Sequence, residues 1–246
     1  MSETLVLLHG FGGTHRAWDG VIERLQDERY RPLALDLPGH GAEAQAARPI
    51  TFASCVAAIL AAAPERFVLC GYSLGGRVAL HVALAAPARV AGLCVIAANP
   101  GIEDARERAT RLAADEQLAE RLEREPFEEF VESWRTQPLF AADPPAVGEL
   151  ARADQRRNDP LALAAAMRGL SVGAMAPLWD RLGELQMPVA LLAGTRDRKF
   201  AELLGRAQGL IPRAELTVLE GGHGLPLEDP AGVASALERL DAESGA

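Results

Sequence analysis

Phe67-Val68-Leu69-Cys70-Gly71-Tyr72-Ser73-Leu74-Gly75-Gly76-Arg77 is the stretch whose reading decides the fold. Its first four residues form a short, continuous apolar run, as in a strand buried on both faces. From Leu74 the period changes. Leu74, Val78, Val82 and Ala85 recur at helical spacing and predict a helix over Leu74–Ala85. A sharp turn must join the two, and Gly71 and Gly75 flank it with no side chain to obstruct close backbone approach. A Gly-x-Ser-x-Gly turn between strand and helix strains its serine and lifts the hydroxyl above the sheet. The free amides of the helix N-terminus there favour developing negative charge. Ser73 is the expected reactive residue.

Outward from this turn the pattern repeats. Short apolar runs at residues 5–8, 31–35, 90–97, 189–193 and 215–219 predict five further strands. Helical segments lie between most of them, including residues 18–26 and Phe52–Ala62. Such alternation implies an α/β fold, a mostly parallel sheet flanked by helices. Residues 101–182 break the alternation. They carry no strand pattern, are rich in Ala, Glu, Arg and Leu, and are punctuated by six prolines: Pro126, Pro138, Pro144, Pro145, Pro160 and Pro177. We read them as a helical cap inserted between two sheet strands of a single domain, residues 1–246. Ligands of open α/β sheets sit beyond the carboxyl ends of the strands, where such an insertion would act as a lid.

A reactive serine needs a base, and in enzymes with this turn the chain order is Ser, acid, His. Only His81 and His223 follow Ser73. His81 falls within the helix after the turn, whereas His223 lies in Gly221-Gly222-His223-Gly224 after the last strand. His223 is the expected base. Asp197 follows the strand at 189–193 and precedes His223, so it is the expected acid, holding the imidazole tautomer. Asp36 also ends a strand, but it precedes Ser73 and reads as a turn residue. His9-Gly10-Phe11-Gly12-Gly13 follows the first strand. By position the backbone N–H groups of Phe11 and Leu74 form an oxyanion hole, with His9 and His40 as loop-shaping residues. A nucleotide site is set aside, because neither Gly-Lys-Ser/Thr nor Gly-x-Gly-x-x-Gly occurs. Arg77, one turn beyond Ser73, either clamps a substrate carboxylate or faces away from the site.

The 246 residues carry a formal net charge of −9, which argues against a nucleic-acid partner. A local arginine cluster can still hold a small anionic substrate. Cys55, Cys70 and Cys94 lack metal-ligand spacing and read as buried, reduced thiols. No signal-peptide pattern opens the chain and no apolar run reaches membrane-spanning length, so a cytoplasmic protein without a membrane partner is expected. No motif speaks to oligomeric state.

Taken together, the His-Gly-Phe-Gly-Gly loop, Gly-Tyr-Ser-Leu-Gly-Gly, the strand-end Asp and the late Gly-His resemble the α/β-hydrolase superfamily. Narrower stretches are Asp36-Leu37-Pro38-Gly39-His40-Gly41, Gly71-Tyr72-Ser73-Leu74-Gly75-Gly76-Arg77-Val78-Ala79, Asn99-Pro100-Gly101, Trp134-Arg135-Thr136-Gln137-Pro138-Leu139-Phe140 and Asp197-Arg198-Lys199-Phe200. These resemble the 2-succinyl-6-hydroxy-2,4-cyclohexadiene-1-carboxylate synthases of menaquinone biosynthesis, over residues 5–236. The resemblance implies an α/β-hydrolase fold and a lyase that eliminates pyruvate from a succinyl-cyclohexene carboxylate. It implies no metal and no organic cofactor, and a Ser-His-Asp triad acting as base. It also implies that the site binds its substrate through Tyr72, Arg77, Arg108, Arg111, Trp134 and Arg156. In the superfamily plan further strands precede the oxyanion loop, whereas here residue 5 already begins the strand before it. The alternative is a small serine carboxylesterase or thioesterase working through an acyl-enzyme. A non-catalytic receptor on the same fold need not keep a full triad.

Overall fold

The computed structural model describes residues 2–26 and 28–240. The chain runs β1 (Glu3–Leu8), α1 (Asp19–Ile22), β2 (Tyr30–Leu35), α2 (Phe52–Ala62), β3 (Phe67–Tyr72), α3 (Leu74–Ala85) and β4 (Val90–Ile96). Four helices follow: α4 (Ala105–Arg124), α5 (Phe127–Arg135), α6 (Pro145–Gln155) and α7 (Pro160–Gly169). The sheet then resumes with β5 (Val189–Gly194), α8 (Arg198–Gln208), β6 (Ala214–Leu219), α9 (Leu225–Glu228) and α10 (Pro230–Arg239).

All strand pairs are parallel, in the order β2-β1-β3-β4-β5-β6. Period-two alternation sends Val6, Leu8, Leu69, Val95 and Leu191 to one face, under α2, α3 and α8. Leu5, Leu7, Val68, Cys94 and Leu192 face the other way, against Trp18, Val21, Val233 and Leu237. With both faces covered, these strands read as continuous apolar runs. The three cysteines are free and buried.

The expected helix over residues 18–26 is shorter. A 3-10 turn at His15–Trp18 leads into α1, which ends at Ile22. Gly20 weakens it, and fully buried Trp18 anchors its start. The insertion between β4 and β5 is helical, and several of its prolines start helices instead of breaking them. Pro145 and Pro160 occupy first-turn positions, where the missing N–H costs nothing. Phe130, Leu122, Leu163 and Met167 give it a core of its own.

The direction in which strands are added reverses between β1 and β3: β2 lies on one side of β1 and every later strand on the other. The crevice at such a switch point is where open α/β sheets bind ligands. Here it is floored by Gly10, Phe11 and Ser73 and roofed by the helical insertion.

Candidate active site

Ser73 sits at φ 53°, ψ −108°, off every favoured region for a residue with a side chain. Backbone packing enforces this. A Cβ on Gly71 would lie 2.2 Å from the Gly75 carbonyl oxygen, and one on Gly75 would lie 2.2 Å from that of Leu8. The Ser73 amide donates to the Ile96 carbonyl at 2.8 Å and the Gly75 amide to that of His9 at 3.0 Å. The turn is thus held between the ends of β1 and β4.

The Ser73 hydroxyl lies 3.0 Å from His223 Nε2, and His223 Nδ1 lies 2.7 Å from Asp197 Oδ2. A carboxylate only accepts, so Nδ1 carries the proton and Nε2 is left to receive that of Ser73. Asp197 and His223 are buried at 7% and 2% exposure, which keeps water from competing for these bonds. Phe200, Tyr72 and Phe140 surround the imidazole at centroid distances of 4.6, 5.4 and 6.1 Å.

Phe11 and Leu74 border the same cavity as Ser73. Leu74 is the first residue of α3, so its N–H belongs to the group that a helix leaves without an internal partner. The loop bearing Phe11 is braced from two sides. His9 Nε2 accepts from the Leu37 amide at 3.0 Å while Nδ1 meets the Gly10 carbonyl at 2.8 Å. Burial lowers the His9 pKa and brings that of His40 down to about 3, so both rings are neutral struts. From the insertion, Asp154 accepts from the Thr14 amide at 2.8 Å and its hydroxyl at 2.5 Å. Asn158 donates to the Gly12 carbonyl at 2.9 Å and accepts from the Gly41 amide at 2.9 Å. Asp36 is the turn residue its position suggests, accepting from the His15 and Ala42 amides at 2.6 and 2.8 Å.

The cavity over Ser73 measures about 220 Å³. One wall is apolar and aromatic, with Trp134, Phe140 and Met167. Trp134 packs at 5.0 Å on Phe11 and 5.8 Å on Phe130. A second part of the lining is charged, with Arg77, Arg111, Glu107 and Asp115. Arg77 is half-buried, spends one N–H on the Leu170 carbonyl at 2.6 Å, and forms no carboxylate ion pair among the described residues. Burial, reinforced by Arg111, lowers its pKa to about 10, so it stays charged at neutral pH. Asp115 tempers this wall. It accepts from Arg111 Nε at 2.8 Å and from the Ser171 hydroxyl at 2.6 Å.

The structure does not bring two of the expected arginines to the cavity. Arg108 folds back along its own helix start and donates to the Ile102 and Glu103 carbonyls at 2.8 and 2.7 Å. Arg156, the exposed residue that caps α6, pairs with Glu128 and Glu132. One residue earlier, Gln155 turns inward, and a 100° step per residue separates the two. His81 stacks on Phe52 at 4.4 Å, away from Ser73. Glu107, Asp115, Ser171, Asn99, Gln137 and Lys199 line the cavity and are not among the expected site residues. The Arg111/Asp115 i,i+4 spacing was a usable signal, and Asn99, Gln137 and Lys199 stood within the narrower stretches quoted above. Among the described residues, no group of three or more His, Cys, Asp or Glu side chains could hold a metal ion, and no helix is long and apolar enough to cross a membrane.

Residues 5–236 match the model of the alpha/beta hydrolase family. A 2-succinyl-6-hydroxy-2,4-cyclohexadiene-1-carboxylate synthase of Salmonella paratyphi C is 35% identical over 96% of this chain and 93% of its own length. A relative in Bacillus subtilis, named as a putative synthase of the same kind, is 31% identical over 93% of this chain and 86% of its own. The structure of MenH from S. aureus superposes with a TM-score of 0.90 at 30% identity, covering 97% of this chain and 92% of that one. A thermophilic esterase from Thermogutta terrifontis with malate bound gives 0.81 at 25% identity, covering 97% and 89%. With its parallel six-stranded sheet and helical insertion, the chain belongs to the alpha/beta hydrolase family, and within it is similar to the 2-succinyl-6-hydroxy-2,4-cyclohexadiene-1-carboxylate synthases.

Proposed function

We propose that this chain is a carbon–oxygen lyase that eliminates pyruvate from a succinyl-cyclohexene carboxylate, giving 2-succinyl-6-hydroxy-2,4-cyclohexadiene-1-carboxylate. The observation that carries the reading is the arginine pair in the cavity over Ser73, of which Arg77 is left without a carboxylate partner among the described residues. Arg77 is a half-buried guanidinium with no carboxylate partner among the described residues, facing a cavity that also holds Arg111. Such a site suits a substrate bearing several carboxylates.

In this reaction His223 Nε2 takes the Ser73 proton, and Ser73 Oγ takes a proton from a substrate carbon. Asp197 stabilises the imidazolium that results. The electron pair left on carbon spreads to a carbonyl oxygen facing the Phe11 and Leu74 amides, which stabilise it. Its return to the ring breaks the carbon–oxygen bond to the three-carbon acid. That acid leaves as the enolate of pyruvate and regains a proton. Trp134 and Tyr72 pack the ring, and the helical insertion serves as a lid that excludes water.

The second reading, a carboxylesterase or thioesterase, draws on the same Ser73–His223–Asp197 line, which would equally serve acyl transfer. Pyruvate release from the menaquinone precursor, assayed beside hydrolysis of a short p-nitrophenyl ester, separates the two. Ester turnover without pyruvate release refutes the lyase. Ser73→Ala is expected to abolish pyruvate release, and activity at wild-type level in that variant refutes the role of Ser73.

A further inference from the structure

The fixed position of His223 has its own support in the structure. Glu228, the last residue of α9, turns its carboxylate back under the loop that carries the imidazole. One oxygen accepts from the amides of Gly222 and Gly224 at 2.9 and 3.1 Å; the other accepts from Gly222 at 3.0 Å. The two amides flanking His223 thus converge on one side chain, itself only 2% exposed. The loop sequence permits the approach, since a Cβ on Gly222 would lie 3.0 Å from Glu228 Oε1.

The same carboxylate is ion-paired with Arg196, the residue before Asp197. The Arg196 amide in turn donates to the Gly221 carbonyl at 2.9 Å. Glu228 therefore joins the loop of the acid to the loop of the base. A carboxylate buried this fully needs its charge balanced and its lone pairs filled. Arg196 and the Gly222 and Gly224 amides do both.

We propose that Glu228 is a positioning residue. It sets the backbone on either side of His223, and through Arg196 the register of Asp197, so that the imidazole meets both Ser73 and Asp197. It touches neither Ser73 nor the cavity, and acts only through His223. The proposal rests on the reading of His223 as the base.

The test compares Glu228→Ala and Glu228→Gln with wild type in two measurements. The first is the downfield proton NMR signal of His223 Nδ1–H, identified by its loss in His223→Gln. The second is steady-state pyruvate release. Glu228→Ala is expected to broaden or abolish the signal and to lower kcat by roughly 10- to 100-fold, with KM changed by less than about twofold. Glu228→Gln keeps one acceptor oxygen and is expected to recover part of both. A sharp signal and kcat within about twofold of wild type in Glu228→Ala overturn the proposal. So does a Glu228→Gln protein that melts much earlier but keeps both the signal and kcat, which marks Glu228 as structural only. If Glu228→Ala fails to fold, Glu228→Gln carries the same two measurements. The signal needs no substrate. Its loss in Glu228→Ala supports positioning even where the wild type releases no pyruvate, an outcome that refutes only the proposed reaction.

Discussion

Removing the Arg77 guanidinium should cost this enzyme more than one hundredfold in kcat/KM on an anionic substrate. Arg77 is half-buried beside Ser73, and its charge is not consumed by a carboxylate among the described residues. A substrate carboxylate about 4 Å from it would gain about 4 kcal/mol at an effective dielectric constant near 20. In Arg77→Ala that gain disappears, and the Leu170 carbonyl loses its donor as well. Water entering the vacated space restores some of the lost interaction, on the order of 1 kcal/mol. The balance is about 3 kcal/mol, roughly 150-fold. Arg77→Lys keeps the charge but not the planar fork, and should fall between Ala and wild type. The assay is steady-state pyruvate release with a neutral short ester as control, on which both variants should match wild type. Unchanged kinetics on the anionic substrate, or an equal loss on the neutral ester, would refute the reasoning.

Three further outcomes are expected. Ser73→Gly relieves the strain at φ 53° and should raise stability by about 1 kcal/mol, or Tm by about 2–4 °C, while abolishing activity; a calorimetric melt checks the sign. Asp154→Ala strips the Thr14 amide and hydroxyl of their shared acceptor, and should lower Tm by several degrees and kcat by about tenfold; an unchanged kcat would show that the oxyanion loop holds without the insertion. His40 stays neutral in the folded protein down to about pH 3, whereas in the unfolded chain it takes up a proton near pH 6.5. The unfolded state therefore binds more protons between these values. The stabilisation is complete above about pH 6.5 and falls, by up to about 1.4 kcal/mol per pH unit from this ring, as pH drops toward 3. Urea denaturation of wild type and His40→Gln across that range should show a shallower slope in the variant.

Much of this was legible in the chain before any coordinates. Buried parallel strands need continuous apolar runs, so β1, β3, β4 and β5 announce themselves within a residue or two, while the edge strands β2 and β6 carry Arg31 and Glu215 and stay partly exposed. A strand-to-helix turn with Gly on either side allows little besides a strained serine, so Ser73 was readable, and chain order pointed to Asp197 and His223. These features are local, or follow from an order that the sheet imposes. The side-chain roles in the helical insertion were not local. Arg108, Arg111 and Arg156 look alike in sequence, but helix rotation and competing partners send only Arg111 to the cavity. The bonds that Glu228 makes to the His223 loop, or Asp154 to Thr14 across 140 residues, leave no periodic trace. Ser73 itself divides the same way. Its strained turn is a property of five adjacent residues, whereas the cavity it serves is shaped by contacts that exist only once distant helices have packed.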